Sequence, residues 1–208
     1  MLQRISFPVA GVDVEGILHL PDAETLGGVA VLPTRSGLAE HGTFVCEALA
    51  ATGIAALRFD SRVAGDMLAG LADAAGAVRL LRAHPTIPQR VGVLGHSYAA
   101  GVAALAAGRD SRVRAAVLLA PPAERDYFGA LKPMAELSRT RARVLIVKAA
   151  ADEIVSPDDA DRYAALVRQA GVTHRLVTIA DADHQFTGST QRAQMLAAVT
   201  EWFRDAFA

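Results

Sequence analysis

The segment Arg90–Gly108 constrains the fold of this chain more than any other, because a strand-like run and a helix-like run meet in it without a spacer. The run Val91–Leu94 is short and apolar, as in a buried strand, and the residues after position 97 are mostly alanine and glycine, with the alanines favouring a helix. Ser97 lies at the join. The pattern predicts a sharp strand-to-helix turn that presents the Ser97 hydroxyl at the edge of a sheet.

The residues on either side of Ser97 favour this turn. Gly95 and Ala99 are small, and a larger side chain at either position would press on the neighbouring backbone while Ser97 takes a strained conformation. The pattern is G-x-S-x-G with alanine in the last place, which is how an α/β scaffold presents a serine nucleophile. A serine at a helix start can equally be an N-cap, so the motif alone leaves both interpretations open.

Two further residues, Asp152 and His184, follow Ser97 at the ends of strand-like runs. Asp152 comes after Val144–Val147, and His184 comes after Arg175–Ile179. We therefore expect both at the carboxyl edge of the sheet, where open α/β sheets bind their ligands. The chain order serine, acid, histidine is that of a catalytic triad on this kind of scaffold.

Each of these residues also has an ordinary explanation. Asp152 can cap a helix, and His184 is one of six histidines in the chain. Asp126 is a second candidate for the acid, although it lies beyond Pro121-Pro122 in a segment that can form a helix. We favour Asp152 because its loop follows a strand directly.

On these residues the chain resembles a small serine hydrolase of the α/β-hydrolase superfamily, similar in outline to the dienelactone-hydrolase-like branch. The similarity covers nearly the whole length, through the elbow around Ser97, the AADEIVSP loop around Asp152, the DADHQF loop around His184 and a closing amphipathic helix. Dienelactone hydrolases proper carry a cysteine nucleophile, so that specific activity is not carried over. The resemblance implies a small ester or thioester substrate, an acyl-enzyme intermediate, and no cofactor or metal.

The resemblance also implies an oxyanion hole formed by two backbone N–H groups. One donor is Tyr98, the residue after the nucleophile. The second is expected in the loop after the strand ending at Leu32, which reads LPTRSG where most relatives carry a His-Gly pair. Aligned by the strand end, Arg35 is the donor, and aligned by the later His41, Ser36 is the donor. Both alternatives stay open.

Length and composition agree with a single domain over residues 1–208. With 52% hydrophobic and 21% charged residues, the chain can bury a substantial core. Lys and Arg number 21 against 22 Asp and Glu, which indicates no nucleic-acid partner. No apolar run approaches the roughly 18 residues of a membrane helix, and because the first residues lack a long apolar core behind a basic start, we expect no secretory signal. The single cysteine, Cys46, is expected to be buried and favours a reducing cytoplasm.

Strand and helix signals alternate along the chain, which predicts the α/β-hydrolase arrangement, a mostly parallel sheet with helices on both faces. Two runs at the start predict an antiparallel hairpin: Gln3–Pro8 and Val12–Leu20. The other predicted strands are Gly28–Leu32, Ile54–Phe59, Val91–Leu94, Val113–Ala120, Val144–Val147 and Arg175–Ile179. Helices are predicted at Thr43–Thr52, Asp66–Ala83, after Ser97, at Pro157–Ala170 and from Ser189 onward.

The interval between the strands ending near Ala120 and beginning near Arg143 is short. It holds a short helix and loops rather than a lid domain, so we expect a minimal cap and an open site. Four of its side chains are candidates either to line the site or to pack in the core: Tyr127, Phe128, Leu131 and Met134.

Two classes of function fit these observations. The first is a cytoplasmic serine hydrolase acting on a small ester or thioester. The second is a non-hydrolytic relative that uses the same pocket for binding or structure, which the altered loop after Leu32 favours. A nucleotide site is not indicated, because Gly92, Gly95 and Gly101 do not form G-x-G-x-x-G. The sequence leaves the oligomeric state open.

Overall fold

The computed structural model describes residues 1–34, 42–125 and 128–208. Its strands in these ranges are β1 (Leu2–Val9), β2 (Val12–His19), β3 (Gly27–Val31), β4 (Ile54–Phe59), β5 (Val91–His96), β6 (Val113–Leu119), β7 (Arg143–Ala149) and β8 (His174–Ile179). Its helices there are α1 (Thr43–Ala51), α2 (Met67–Ala83), α3 (Tyr98–Arg109), α4 (Pro133–Leu137), α5 (Pro157–Gln169) and α6 (Ser189–Phe207).

The strands form one sheet in the order β1-β2-β4-β3-β5-β6-β7-β8. β1 and β2 form the predicted antiparallel hairpin, and β2 pairs antiparallel with β4. All other neighbouring strands in the described ranges pair in parallel. The turn between β1 and β2 has φ 49° at Ala10 and 79° at Gly11, as a tight two-residue hairpin turn requires. The fold is therefore the predicted α/β-hydrolase fold, and every predicted strand is present within two residues of its expected bounds.

Apolar side chains cover both faces of the sheet. One face packs against α2, α3 and α5, where Leu81, Leu105 and Tyr163 are fully buried. The other face packs against α1 and α6, where Leu49 and Phe203 are fully buried. Because both faces are covered, the parallel strands read as nearly continuous apolar runs in the sequence.

Cys46 is buried on α1, as predicted. Burial raises the pKa of its thiol to about 12. The sulfur therefore stays protonated at neutral pH and is not a nucleophile.

The last carbonyl groups of α6 are held by guanidinium groups from neighbouring strands. Arg114 Nε donates to the Ala206 carbonyl at 2.7 Å, and Arg143 Nη1 donates to the Asp205 carbonyl at 2.9 Å. Arg90 donates to the carbonyl of Phe207. Carbonyls at a helix C-terminus have no partner within the helix, and cations there also interact favourably with the helix dipole. These bonds fix the end of α6 at the amino edge of the sheet.

The interval between β6 and β7 carries only the short helix α4 within the described residues, as predicted for a minimal cap. Phe128 is buried in the core on the α3 face, and Leu131 and Met134 pack against the same core. Tyr127 lies outside the described residues. The other three candidates thus pack in the core or against it. No helix in the described ranges is long and apolar enough to cross a membrane.

Candidate active site

Ser97 lies between β5 and α3 in a strained backbone conformation, with φ 54° and ψ −122°. Such a conformation costs about 1–3 kcal/mol and persists where the surrounding structure enforces it. The Ser97 N–H donates to the carbonyl of Leu119 on β6 at 2.9 Å. A Cβ atom at Gly95 would lie 2.0 Å from the carbonyl oxygen of Ala99, which is the crowding that the sequence predicts. The Ser97 side chain makes no capping hydrogen bond, so the N-cap alternative does not describe it.

The structure brings Ser97, His184 and Asp152 together. Ser97 Oγ lies 2.9 Å from His184 Nε2, and His184 Nδ1 lies 2.6 Å from Asp152 Oδ2. The other carboxylate oxygen of Asp152 accepts hydrogen bonds from the N–H groups of Ile154 and Val155, both at 2.8 Å. When Nδ1 donates to the carboxylate, Nε2 is left as the acceptor for the Ser97 hydroxyl. This tautomer suits a general base.

Asp152 and His184 are more deeply buried than Ser97. Asp152 is 8% exposed and His184 is 5% exposed, whereas Ser97 is half-buried. Only the hydroxyl end of the hydrogen-bonded chain is therefore open to a bound molecule. Low exposure also strengthens the interaction between the carboxylate and an imidazole that becomes charged.

The loop that carries His184 is fixed by the carboxylate of Asp183. The N–H groups of Gln185 and Thr187 both donate to Asp183 Oδ1 at 3.0 Å, and the Thr187 hydroxyl donates to Oδ2. These bonds, those from Thr187 above all, hold the pKa of Asp183 below its ordinary value. Phe186 has a φ of 52°, the left-handed conformation, which turns the chain sharply after the histidine.

His96 also holds the loop that carries His184. Its Nε2 atom donates to the backbone carbonyl of His184 at 2.7 Å, and the two rings lie 4.8 Å apart. Sequence reasoning missed both His96 and Asp183. The available signal was their position, since each polar side chain directly precedes a predicted catalytic residue.

The predicted oxyanion donors are placed only in part. Tyr98 is the first residue of α3, so its N–H belongs to the helix end with the positive dipole charge, next to Ser97. The strand that leads to the second donor is held by a bond from the Leu32 N–H to the Leu94 carbonyl at 2.8 Å. Arg35 and Ser36 lie outside the described residues, as does the alternative acid Asp126.

A protein-family model described as the dienelactone hydrolase family matches residues 58–207, which include all three members of the Ser97, His184 and Asp152 cluster. The chain belongs to the dienelactone hydrolase family. Membership supports hydrolase activity on a small-molecule substrate. No curated protein matches the sequence significantly.

Solved structures share the fold of this dienelactone hydrolase family member. The complex of DcsB with its substrate analogue has a TM-score of 0.89 at 15% identity and covers 100% of both chains. Est1E from Butyrivibrio proteoclasticus has a TM-score of 0.84 at 18% identity over 98% of each chain. A dienelactone hydrolase from Anabaena variabilis has a TM-score of 0.77 at 22% identity and covers 98% of this chain and 96% of its own. These identities establish the fold alone.

A largely enclosed cavity of about 110 Å³ adjoins the site of this family member. His96 lines it, as do Gln185 and Phe186, which follow His184 in the chain. Phe128, Leu131 and Met134 line a separate surface groove near α5. The spacing of these three residues in the sequence does not show whether they line the cavity beside the site or this groove. No three His, Cys, Asp or Glu side chains cluster as metal ligands in the part of the chain that the structure describes.

Proposed function

We propose that this protein is a serine hydrolase that cleaves a small ester or thioester through an acyl-enzyme formed on Ser97. The observation that carries the proposal is the 2.9 Å approach of His184 Nε2 to the hydroxyl of a serine held in a strained elbow. A serine hydroxyl is a weak nucleophile at neutral pH and needs an adjacent base. His184 is that base in our proposal, and Asp152 is the acid that orients it.

In the first half of the reaction, Ser97 Oγ attacks the carbonyl carbon while His184 Nε2 takes the hydroxyl proton. The tetrahedral intermediate collapses as the imidazolium returns this proton to the leaving alcohol or thiol. Asp152 stays ionised, holds the Nδ1–H tautomer and stabilises the imidazolium. The product of this half is an ester between Ser97 Oγ and the acyl group.

In the second half, a water molecule gives a proton to His184 Nε2 and attacks the acyl-enzyme carbonyl. Collapse of this intermediate breaks the bond to Oγ, which takes the proton back from the imidazolium. The carboxylic acid then leaves, and Ser97, His184 and Asp152 are as they began.

Both tetrahedral intermediates carry a negative oxygen. We assign one stabilising donor to the Tyr98 N–H, at the positive end of α3. The second donor is proposed to be the N–H of Arg35 or Ser36, in the loop after Leu32. Loss of one such donor in other serine hydrolases lowers kcat by about 10²–10³.

The test is covalent labelling with a fluorophosphonate, followed by hydrolysis assays with p-nitrophenyl acetate and an acetyl thioester. Labelling and turnover should both disappear in Ser97→Ala while the circular dichroism spectrum stays unchanged. Ser156→Ala is the matched control, because Ser156 also sits at a helix start without a capping hydrogen bond. We expect it to label and turn over as the wild type does.

A non-hydrolytic relative is the alternative, and its support is the loop sequence LPTRSG in place of a His-Gly pair. Such a protein would leave the probe unreacted and would not hydrolyse either substrate. A folded Ser97→Ala variant with wild-type turnover would equally overturn the proposed mechanism.

A further inference from the structure

The cavity beside the site is largely enclosed, and most of its wall is apolar. Leu94 and Leu119, at the carboxyl ends of β5 and β6, form one side of it. Phe44 of α1, Phe186 and Met195 of α6 form the others. Apart from the half-buried Phe44, these side chains are 1–3% exposed. An enclosed space with such walls favours an apolar occupant, because a polar group would lose its hydration there.

The walls of the cavity are held in place by Arg192. Its Nε atom donates to the backbone carbonyl of Phe186 at 3.2 Å, and its guanidinium lies 4.9 Å over the ring of Phe44. Phe186 is kept in a left-handed conformation with φ 52°, which is uncommon for a bulky residue. One cation thus fixes both aromatic walls, so the cavity has a defined shape.

The cavity lies next to the reacting groups. His96 precedes Ser97, and Gln185 and Phe186 follow His184, so chain neighbours of both residues border the cavity. The segment 32–34, which leads to the expected second oxyanion donor, also lines it. His96, which lines the cavity, has its ring 4.8 Å from the ring of His184, so the cavity begins within one side chain of the proposed base.

We propose that this cavity holds the acyl group of the substrate and limits it to a short chain; this inference rests on the proposed function. The acyl group stays bonded to Ser97 through the intermediate, whereas the leaving group must depart before water attacks. An enclosed compartment suits the part that stays. The leaving group then lies on the solvent side, where His184 Nε2 can give it a proton.

The volume sets the expected chain length. The cavity of about 110 Å³ is smaller than the roughly 150 Å³ apolar cavity that accommodates benzene. It therefore takes about three or four chain carbons beyond the carbonyl. Arg58 and Arg192 also border the cavity, where Arg58 Nε donates to His19 Nε2 at 3.0 Å and Arg192 Nε donates to the Phe186 carbonyl. These neutral partners do not cancel the positive charges, so the expected limit on the acyl chain is its length and not its charge.

The first experiment measures kcat/KM of the wild type for p-nitrophenyl acetate, butyrate, hexanoate and octanoate. Each methylene that enters the cavity should raise kcat/KM about fourfold. From butyrate to octanoate we expect a decrease of about tenfold or more, because the added carbons have no room. A profile that is flat, or that rises through octanoate, would overturn the proposal.

The second experiment changes the cavity at Met195. Met195→Ala removes three heavy atoms from the cavity wall. It should raise the hexanoate to butyrate ratio of kcat/KM about fourfold for each methylene of hexanoate that the new space admits. Met195→Trp fills the cavity and should lower the butyrate to acetate ratio by a similar factor. Met67→Ala is the control, because Met67 is equally buried but packs on the opposite face of the sheet. It should leave both ratios at wild-type values.

The leaving group is varied separately, with acetate esters of alcohols of increasing length. The Met195 variants should not change this series. If their effect follows the alcohol and not the acyl chain, the cavity holds the leaving group and the proposal is wrong. Failure of the proposed function looks different, since no acyl chain would then be hydrolysed and Ser97 would not be labelled.

Discussion

The Nε2 atom of His96 donates a hydrogen bond to the backbone carbonyl of His184, 2.7 Å away. His96 directly precedes Ser97, so the residue before the proposed nucleophile holds the loop that carries the proposed base. The approach of Ser97 Oγ to His184 Nε2 therefore depends on a bond that neither of these two side chains makes.

His96→Phe should separate this positioning role from ring packing. Phenylalanine keeps an aromatic ring beside His184 but has no N–H to donate. We expect kcat for p-nitrophenyl acetate to fall about tenfold, the effect of losing one hydrogen bond of about 1.4 kcal/mol, with little change in KM. Steady-state kinetics measure both constants. His96→Gln retains a donor, so its kcat should be close to that of the wild type. An equal decrease of kcat in the two variants would show that the hydrogen bond is not the cause.

Asp152→Asn should lower kcat by about 10⁴ with little change in the fold, because an amide no longer fixes the Nδ1–H tautomer of His184. The measurement is turnover of p-nitrophenyl acetate, with circular dichroism as the check on folding. Asp181→Asn is the matched control, since Asp181 is an exposed carboxylate ahead of His184 and asparagine tolerates its φ of 55°. If Asp152→Asn lowered kcat only slightly and Asp126→Asn lowered it by orders of magnitude, the acid would be Asp126.

Gly95→Ala should destabilise the elbow. Its new Cβ would meet the Ala99 carbonyl oxygen at 2.0 Å, and the atoms it meets belong to the backbone and cannot rotate away. We expect the free energy of unfolding to fall by about 2 kcal/mol or more, together with loss of fluorophosphonate labelling. Gly70→Ala in α2 meets only Val102 side-chain atoms, the nearest at 3.4 Å, and should be neutral or stabilising by up to about 1 kcal/mol. Urea unfolding of both variants decides between these outcomes.

His19 should make stability depend on pH. Burial, with a smaller contribution from Arg58, lowers the pKa of His19 below its ordinary value of 6.5. The unfolded chain therefore binds this proton more readily than the folded chain, and the free energy of unfolding should fall as pH drops from about 6.5 toward the lower folded-state pKa. Urea unfolding at pH 8 and at several values below 6.5 measures the slope. The slope should be shallower in His19→Gln, and an unchanged slope would mean that other groups are responsible.

The sequence carried enough information for the sheet and for the three proposed catalytic residues, because their signals are local. A valine-rich run before Ser97 and an alanine-rich run after it define a strand and a helix without any knowledge of the rest of the chain. Asp152 and His184 each follow a strand, and parallel strands bring their carboxyl ends to the same edge.

The surroundings of these residues could not be predicted in the same way, because they depend on contacts between distant segments. The bond between His96 and His184 joins residues 88 positions apart. The cavity walls come from α1, β5, β6, the loop after β8 and α6, and no spacing within one element shows that they converge. Phe128 illustrates the same limit, since an aromatic residue in a short helical segment has the same pattern whether it faces a ligand or the core.

The three guanidinium groups at the end of α6 fix the position of the helix along its own axis. Met195 lies on that helix about 15 to 18 Å from the carbonyls that Arg90, Arg114 and Arg143 bind, and a straight helix changes little in length over such a distance. The position at which these hydrogen bonds hold the end of α6 therefore helps to set the position of Met195 in the cavity wall. Laboratory evolution toward bulkier acyl groups should accordingly find beneficial changes at the amino edge of the sheet, far from any atom that touches substrate.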